Sequence, residues 1–363
     1  MALSRVSPFI KWPGGKSSEL DVIHKYSPRN YSRYFDPFLG GGSVLLSISE
    51  EVERHGNDLC YELVSLFSLF SNQDEVRLDE LITLLETWQS LQVPEALSNS
   101  IINNFVRGKI ITPQINLALE TKFAEINSLI ENTELTFSKE LRSKLERTLK
   151  LQLARKKQLS RQDLTKTING VLRACFYYAI RDEYNSFRKL KSLNTWRVSY
   201  FYLLRELAYA SMFRFNSRGE FNVPYGGVSY NDKDILGKVR SFLVSSSSLQ
   251  MPNCNFYNED YTVFLNKFNF ETTDFVFIDP PYDTEFSTYD NQTFDAKDQV
   301  SLGEYLVGCS AKIMILIGDS PLVRSIYKDA KWNIIETDKL YLWNIKSRND
   351  GKTKHLLIRN YLD

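Results

Sequence analysis

Apolar residues change their spacing along this chain, and the changes mark out its elements. Near both ends they form short unbroken runs. Tyr34-Phe35 leads to Asp36, and Phe275-Val276-Phe277-Ile278 leads to Asp279. Ile313-Met314-Ile315-Leu316-Ile317, Trp332-Asn333-Ile334-Ile335 and Leu356-Leu357-Ile358 follow later. Runs of this length without polar alternation predict strands covered on both faces, as in a parallel sheet. Gly40-Gly41-Gly42 predicts a turn and Ser43 to Ile48 the start of a helix; Gly56-Asn57-Asp58 ends a second strand, before a helix from Leu63 to Phe70. The middle is spaced differently. Val76, Leu78, Leu81, Leu84, Leu85 and Trp88 recur three or four residues apart, as one apolar helix face does. Leu141, Leu145 and Leu149 recur every four residues among Arg142, Lys144, Arg147 and Lys150, which reads as a helix with a solvated basic face, continued by Arg155-Lys156-Lys157, with a nucleic-acid contact as the alternative. Strands at both ends around a helical middle predict an α/β fold with helices on both faces of the sheet, interrupted by a mainly helical insertion.

Between 197 and 228 the pattern changes again. An aromatic helix over Arg197–Tyr209 precedes Phe213-Arg214-Phe215-Asn216-Ser217-Arg218-Gly219-Glu220-Phe221-Asn222-Val223-Pro224-Tyr225-Gly226. Ser217 to Glu220 predicts a turn between two short strands, with glycine supplying the positive φ. Arginine, asparagine and aromatic side chains interleave there, as on surfaces that read bases and backbone. The predicted boundaries are therefore 1–70 with 255–363 for the sheet domain and 71–254 for the insertion, whose hairpin lies at about 213–226.

Charge narrows the partners only slightly. The 363 residues carry 45 basic and 44 acidic side chains, a formal net charge of +1, so a surface for a polyanion has to be local. Cys60, Cys175, Cys254 and Cys309 are far apart, as are His24, His55 and His355, and none has metal-ligand spacing. No metal is expected, and four reduced thiols fit a cytoplasmic protein. The N-terminal residues run into a motif without a signal-peptide core, and no apolar stretch reaches bilayer length, so no membrane association is expected.

The chemistry concentrates at two strand ends. Asp279-Pro280-Pro281-Tyr282 closes an apolar strand with two residues that cannot donate to a ladder, which makes a rigid loop where open α/β sheets bind ligands. A carboxylate, fixed carbonyls and an aromatic ring together could hold a planar group with an exocyclic amine: Asp279 accepting one hydrogen, the Pro280 carbonyl the other, Tyr282 stacking. A plain strand end with a tight turn fits the four residues alone equally well. Asp36-Pro37-Phe38-Leu39-Gly40-Gly41-Gly42 is a glycine-rich strand-to-helix turn, which lets backbone approach a ligand. Asp58 follows after the next strand, at the place of a ribose-binding acid in a nucleotide half-fold.

These motifs, in this order, resemble a Dam-type (class alpha) DNA adenine-N6 methyltransferase. Phe9-Ile10-Lys11-Trp12-Pro13-Gly14-Gly15-Lys16 is similar to the family's N-terminal signature, Asp36 to Gly42 to its glycine loop, and Asn57-Asp58 to its ribose acid. Arg214 to Gly226 is similar to its DNA-reading hairpin, Asp279 to Tyr282 to its catalytic loop, and Tyr289 to Phe294 to the segment after it. The resemblance implies a Rossmann-like methyltransferase sheet and S-adenosylmethionine as cofactor. It also implies transfer of a methyl group to N6 of an adenine flipped out of double-stranded DNA, at a specific site. A solitary methylase or a restriction-modification system would fit, the latter with a cognate restriction endonuclease as partner.

The resemblance also implies roles. Asp279, Pro280 and Tyr282 would be catalytic. Trp12, Lys16, Phe38, Gly40, Asp58, Asp260 and Asp279 would bind cofactor, the tryptophan face suiting a sulfonium and Lys16 a carboxylate. Lys11, Tyr209, Met212, Arg214, Asn222 and Pro224 would meet DNA, with Arg214 suited to a guanine. Departures limit the implication. Ala208-Tyr209-Ala210-Ser211 stands where relatives that methylate GATC tend to have Gly-Tyr-Asn-Gly, and Val228 replaces an aromatic, so GATC is not implied as the target. Residues 71–170 form a longer insertion than compact relatives have. The alternatives are a cytosine-N4 or RNA amino-methyltransferase of the same fold, for which serine in place of Asp279 would be the sign in the cytosine case, and a catalytically silent DNA-binding subunit.

Overall fold

The computed structural model describes residues 8–72, 75–107, 129, 137–154, 159–190, 195–247, 251, 253–281, 294–340 and 352–362. Tyr282, Tyr289 to Thr293 and Arg155-Lys156-Lys157 lie outside them. The chain divides into two compact units, Met1–Asn72 with Leu243–Asp363, and Gln73–Phe242.

In the first unit the described residues form a seven-stranded sheet. Its strands are β1 (Arg33–Asp36), β2 (Glu53–Asn57), β3 (Cys254–Tyr257), β4 (Asp274–Ile278), β5 (Lys312–Gly318), β6 (Asn333–Leu340) and β7 (Lys352–Arg359). Their order is β3-β2-β1-β4-β5-β7-β6. The first five run parallel, and β7 lies antiparallel to both β5 and β6. This is a Rossmann-like sheet, with the topological switch between β1 and β4. Every residue of β4 is buried, as its unbroken apolar run predicts. Phe35, Val276, Ile278, Ile313, Ile315, Leu356 and Ile358 join Leu302 and Leu306 in one core. The lower edge of β1 is locked to β4 by Arg33, whose Nε and Nη2 donate to the two oxygens of Asp274 at 2.8 and 2.6 Å.

Two expectations need correction. The late strands do not all extend a parallel sheet, because β7 turns back between β5 and β6. The segment Ser43 to Ile48 forms one 3-10 turn, Leu45–Ser47, rather than the start of an α-helix. Ser47 Oγ donates to the Val44 carbonyl at 2.6 Å, a local bond that competes with helix continuation. Helices α1 (Leu20–Tyr26) and α2 (Tyr61–Asn72) precede the insertion.

The second unit is helical: α3 (Glu75–Ser90), α4 (Glu95–Val106), α5 (Phe137–Leu153), α6 (Arg161–Lys189) and α7 (Trp196–Leu207). Ser160 caps α6, its Oγ accepting from Asp163 N at 3.1 Å. Helices α4, α5 and α7 pack on α6, and α3 packs on α7. Leu141, Leu145 and Leu149 are the buried stripe of α5, while Arg142 and Lys144 pair with Glu146 and Glu140 at 3.3 and 2.7 Å. From Val198 to Leu207 every residue of α7 is buried, so this helix is the unit's central rod. The later helices are α8 (Ile235–Ser247), α9 (Tyr261–Asn266), α10 (Ala296–Gly308) and α11 (Pro321–Ile326).

Candidate functional site

A cavity of about 600 Å³ opens at the carboxyl ends of β1, β2 and β4, where the strand order switches. Trp12, Lys16, Phe38, Gly40, Asp58, Asp260 and Asp279 line it together, with Pro280 and Pro281. The glycine loop is shaped by close approach. Gly40 has φ +49°, and a β-carbon there would lie 2.9 Å from Trp12 Cδ1. Gly42 has φ +67°, and its β-carbon would lie 2.5 Å from the Phe67 ring. Neither position accepts a side chain without displacing an aromatic.

Asp58 is held by backbone. Its Oδ2 accepts from Gly40 N and its Oδ1 from Cys60 N, both at 2.9 Å. A carboxylate has about four lone-pair sites, so these two bonds leave acceptor capacity on each oxygen. Burial raises the Asp58 pKa and the backbone bonds oppose the rise. The neighbouring Asn57 ties three strand ends together: its Nδ2 donates to Pro37 O at 3.1 Å and Glu259 O at 3.0 Å, and its Oδ1 accepts from Glu259 N at 3.1 Å. Asp260 is the N-cap of α9, accepting from Thr262 N at 2.8 Å. Phe38 packs against Tyr261 and Phe294, with ring centroids 5.3 and 5.7 Å away, so one wall is aromatic.

At the other side stands an ion pair. Lys16 is 3 % exposed; its Nζ donates to Gly14 O at 2.8 Å and lies 2.5 Å from Asp279 Oδ2. The lysine expected to face a cofactor carboxylate thus lines the cavity and is paired with Asp279. Asp36 lines the same cavity. Its Oδ2 accepts from Tyr34 Oη at 3.2 Å, while its Oδ1 is buried with no hydrogen-bond partner. Burial foremost, then the charge of Asp279, pushes the Asp36 pKa up to about 8, against bonds from Tyr34 and the Phe38 N–H.

The second unit carries the other predicted residues. The expected hairpin is a tight turn with an isolated Phe215↔Phe221 bridge rather than a ladder. Asn216 organises it: its Oδ1 accepts from Arg218 N at 2.9 Å and Glu220 N at 3.0 Å, and its Nδ2 donates to Glu220 Oε2 at 2.8 Å. Gly219 supplies φ +75°, and Arg218 pairs with Glu220 at 3.0 Å. Arg214, Asn222 and Pro224 are exposed, and Met212 is half-buried. Tyr209, 53 % exposed, sits on a 3-10 turn in which Ala210 and Ser211 have φ +53° and +52°. The turn is pinned by Tyr209 N donating to Pro224 O at 2.9 Å. Lys11 is exposed and belongs to the first unit.

Sequence reasoning missed several residues. Asp36 was legible as an acid followed by proline at the end of β1, as Asp279 is just after the end of β4. Asn57 was overlooked beside its acidic neighbour, and Tyr261 and Phe294 carried no spacing signal. Tyr177 and Asn185 on α6 reach the hairpin backbone, with Tyr177 Oη donating to Val223 O at 3.0 Å. Nothing in the sequence pattern marks either. Among the described residues no helix is long and apolar enough to cross a membrane, and no group of three or more His, Cys, Asp or Glu could hold a metal ion.

Comparison with known proteins agrees with this geometry. The sequence model of the family described as D12 class N6 adenine-specific DNA methyltransferase matches residues 12–147 and 142–341. The Type II methyltransferase M.CviBI of Paramecium bursaria Chlorella virus NC1A is 22 % identical over 361 residues, 98 % of this chain and 100 % of that protein. The Type II methyltransferase M1.LlaDCHI of Lactococcus lactis subsp. cremoris is 22 % identical over 365 residues, 98 % of this chain and 95 % of its own. The DNA adenine methylase of Escherichia coli (strain K12) is 24 % identical over 338 residues, 90 % of this chain and 86 % of its own.

Proposed function

Because the chain belongs to the D12 class of N6 adenine-specific DNA methyltransferases, we propose that its methyl donor is S-adenosylmethionine, bound in the cavity between the glycine loop and Asp279. The observation that carries the reading is the convergence of Asp58, the glycine loop, the Phe38 wall and the Asp279-Pro280 loop on that one cavity. The donor set fits such a molecule. Asp58 has acceptor capacity for ribose hydroxyls, the Phe38, Tyr261 and Phe294 rings suit an adenine, and the unpartnered Asp36 Oδ1 suits an ammonium hydrogen. Trp12 offers an aromatic face to a sulfonium. When bound, the cofactor supplies an electrophilic methyl group.

The protein's part is to make a poor nucleophile reactive. An adenine amine has its lone pair delocalised into the ring. The Asp279 carboxylate and the Pro280 carbonyl would each accept one amine hydrogen, favouring a pyramidal nitrogen whose lone pair points at the methyl carbon. Lys16 acts on Asp279: a buried ammonium 2.5 Å from Oδ2 fixes the carboxylate's orientation before substrate arrives. Tyr282 would stack on the flipped base, as the resemblance implies. Arg214, Asn222, Pro224, Met212, Tyr209 and Lys11 are assigned to DNA, with the hairpin reading base edges.

The first unit carries the chemistry and the second most of the target reading, Lys11 of the first unit being the exception. DNA as substrate supports a cytoplasmic location, and the similarity to two Type II methyltransferases supports a cognate restriction endonuclease acting on the same site. The test is incubation with labelled S-adenosylmethionine and duplex DNA, followed by digestion to nucleosides. N6-methyladenine is expected from the wild type. Asp279→Ala removes the carboxylate and leaves the buried Lys16 without its partner, so it is expected to fold with a lowered Tm and to lose at least about a thousandfold in turnover per folded molecule. Near-normal turnover by that variant would sink the mechanism.

A further inference from the structure

The return arm of the hairpin alternates strictly. Phe221, Val223 and Tyr225 are buried, while Asn222 and Pro224 are exposed. Short pairings hold the arm at its two ends. Toward the outgoing arm it makes the isolated Phe215↔Phe221 bridge, flanked by bonds from Asn216 N to Glu220 O at 2.9 Å and from Asn222 N to Arg214 O at 3.4 Å. At the far end Tyr225 bridges Ala208, with Tyr209 N donating to Pro224 O and Gly226 N to Leu207 O, both at 2.9 Å. Between them the arm is held by a helix. The Asn185 amide of α6 donates from Nδ2 to Phe221 O at 3.1 Å and accepts from Phe221 N at 2.7 Å on Oδ1. That is the two-point exchange one residue of a neighbouring strand would supply. Eight residues earlier on α6, Tyr177 Oη donates to Val223 O at 3.0 Å. One helix face thus takes the backbone of Phe221 and of Val223, the residue two further on.

Phase matters because a one-residue slip of an extended segment turns every side chain to the opposite face. A slip here would bury Asn222 and Pro224 and expose Phe221 and Val223. We propose that Asn185 is a positioning residue for target discrimination: by clamping both backbone groups of Phe221 it holds, at the turn end of the arm, the phase that presents Asn222 and Pro224 to DNA base edges. The proposal rests on the reading of the hairpin as the DNA reader. Asn185 is well suited to the task, since an amide matches an N–H and a C=O at once and only one orientation of it satisfies both.

The test uses the full-length protein. The wild-type target is first mapped as N6-methyladenine positions in plasmid DNA. Duplexes carrying that target, and each single base-pair change within it, are then methylated by wild type, Asn185→Ala, Tyr177→Phe and Asn222→Ala. The readout is the ratio of kcat/KM on the target to kcat/KM on each changed site. A loss of folded protein scales all duplexes equally, so simple destabilisation leaves this ratio unmoved. We expect Asn185→Ala to lower it at least tenfold at one or more positions, with S-adenosylmethionine affinity unchanged. Tyr177→Phe, which removes only a hydroxyl, should lower it about threefold at the same positions, and it carries the test if the alanine variant fails to fold. An unchanged ratio in the folded variants while Asn222→Ala relaxes it overturns the proposal and leaves the reader standing. An unchanged ratio and unchanged DNA affinity in Asn222→Ala would remove the reader itself.

Discussion

Replacing Asp36 by Asn tests the electrostatics of the cavity most directly. Asp36 is 2 % exposed, and its carboxyl titrates at about 8 instead of 3.8 because burial strips its hydration and Asp279 adds like charge. Between those values the folded protein holds a proton that the unfolded chain has released. Folding stability therefore falls as pH rises through the window from about 4 to about 8, and levels off above it. At about 1.36 kcal/mol per unit, a displacement of this size corresponds to at most roughly 5–6 kcal/mol. Water penetration and relaxation make buried sites respond as if the dielectric were about 20, which brings the expected loss to about 2–3 kcal/mol. Asn is nearly isosteric and never ionises, and its Oδ1 can still accept from Tyr34 Oη. At pH 5 the two proteins should melt within a degree or so of each other. At pH 9 the variant should melt roughly 5–10 °C higher, on a scale of about 2–4 °C per kcal/mol for a domain of this size. The assay is thermal unfolding without ligand at half-unit pH steps, reading the difference between the proteins so that other titrating groups cancel. Parallel curves from pH 5 to pH 9 would refute the argument, since Asp36 would then be ionised throughout the neutral range.

Two further outcomes follow from other contacts. Lys16→Met keeps the length and apolar stem but leaves Asp279 without its ammonium; breaking a buried pair from one side costs about 3–5 kcal/mol of folding stability, read as a lowered Tm, and the folded variant, with Asp279 no longer oriented, is expected to lose about a hundredfold or more in kcat on DNA. Turnover within threefold of wild type would show that Lys16 does not orient Asp279. Ala210→Gly acts through backbone conformation. An L-residue at φ +53° bears roughly 1–2 kcal/mol of steric cost, and the added freedom of glycine in the unfolded chain returns up to about 1 kcal/mol of it. A net stabilisation of about 0.5–1 kcal/mol is expected by denaturant titration, and a loss of stability would show that the turn is not strained at Ala210.

The parallel core of the sheet was legible because its strands are unbroken apolar runs, and burial on both faces is the one environment that demands them. Where that demand weakens, so does the signal. Cys254-Asn255-Phe256-Tyr257 is β3, an edge strand whose residues are at most half-buried, and its mixed composition offered no pattern to read. The reversal of β7 was hidden for another reason: strand direction depends on how the chain returns, and Leu356-Leu357-Ile358 looks the same either way. The segment after the glycine loop misled because Val44, Leu45, Leu46 and Ile48 are buried together, which a helix and a compact 3-10 turn explain equally well.

The site divides along a different line. Residues on the two strand-end loops announced themselves because glycine and proline restrict what those loops can be. Tyr177 and Asn185 did not, because a helix residue that reaches sideways to another segment's backbone obeys no period. The instructive case is Ala208-Tyr209-Ala210-Ser211. Beside Gly-Tyr-Asn-Gly it reads as a departure that leaves GATC without support as the target. The backbone tells more. Ala210 and Ser211 both hold positive φ, the conformation that Asn and Gly adopt most cheaply. The turn therefore takes a shape that Asn and Gly would make easy without having those residues, and it is held by the bond from Tyr209 N to Pro224 O. A costly conformation persists only where its surroundings over-determine it, and here it aims an exposed Tyr209 away from the helix that carries it. On the proposal that Tyr209 meets DNA, the departure alters the side chains beside it, while the turn that presents it has the conformation Asn and Gly would favour.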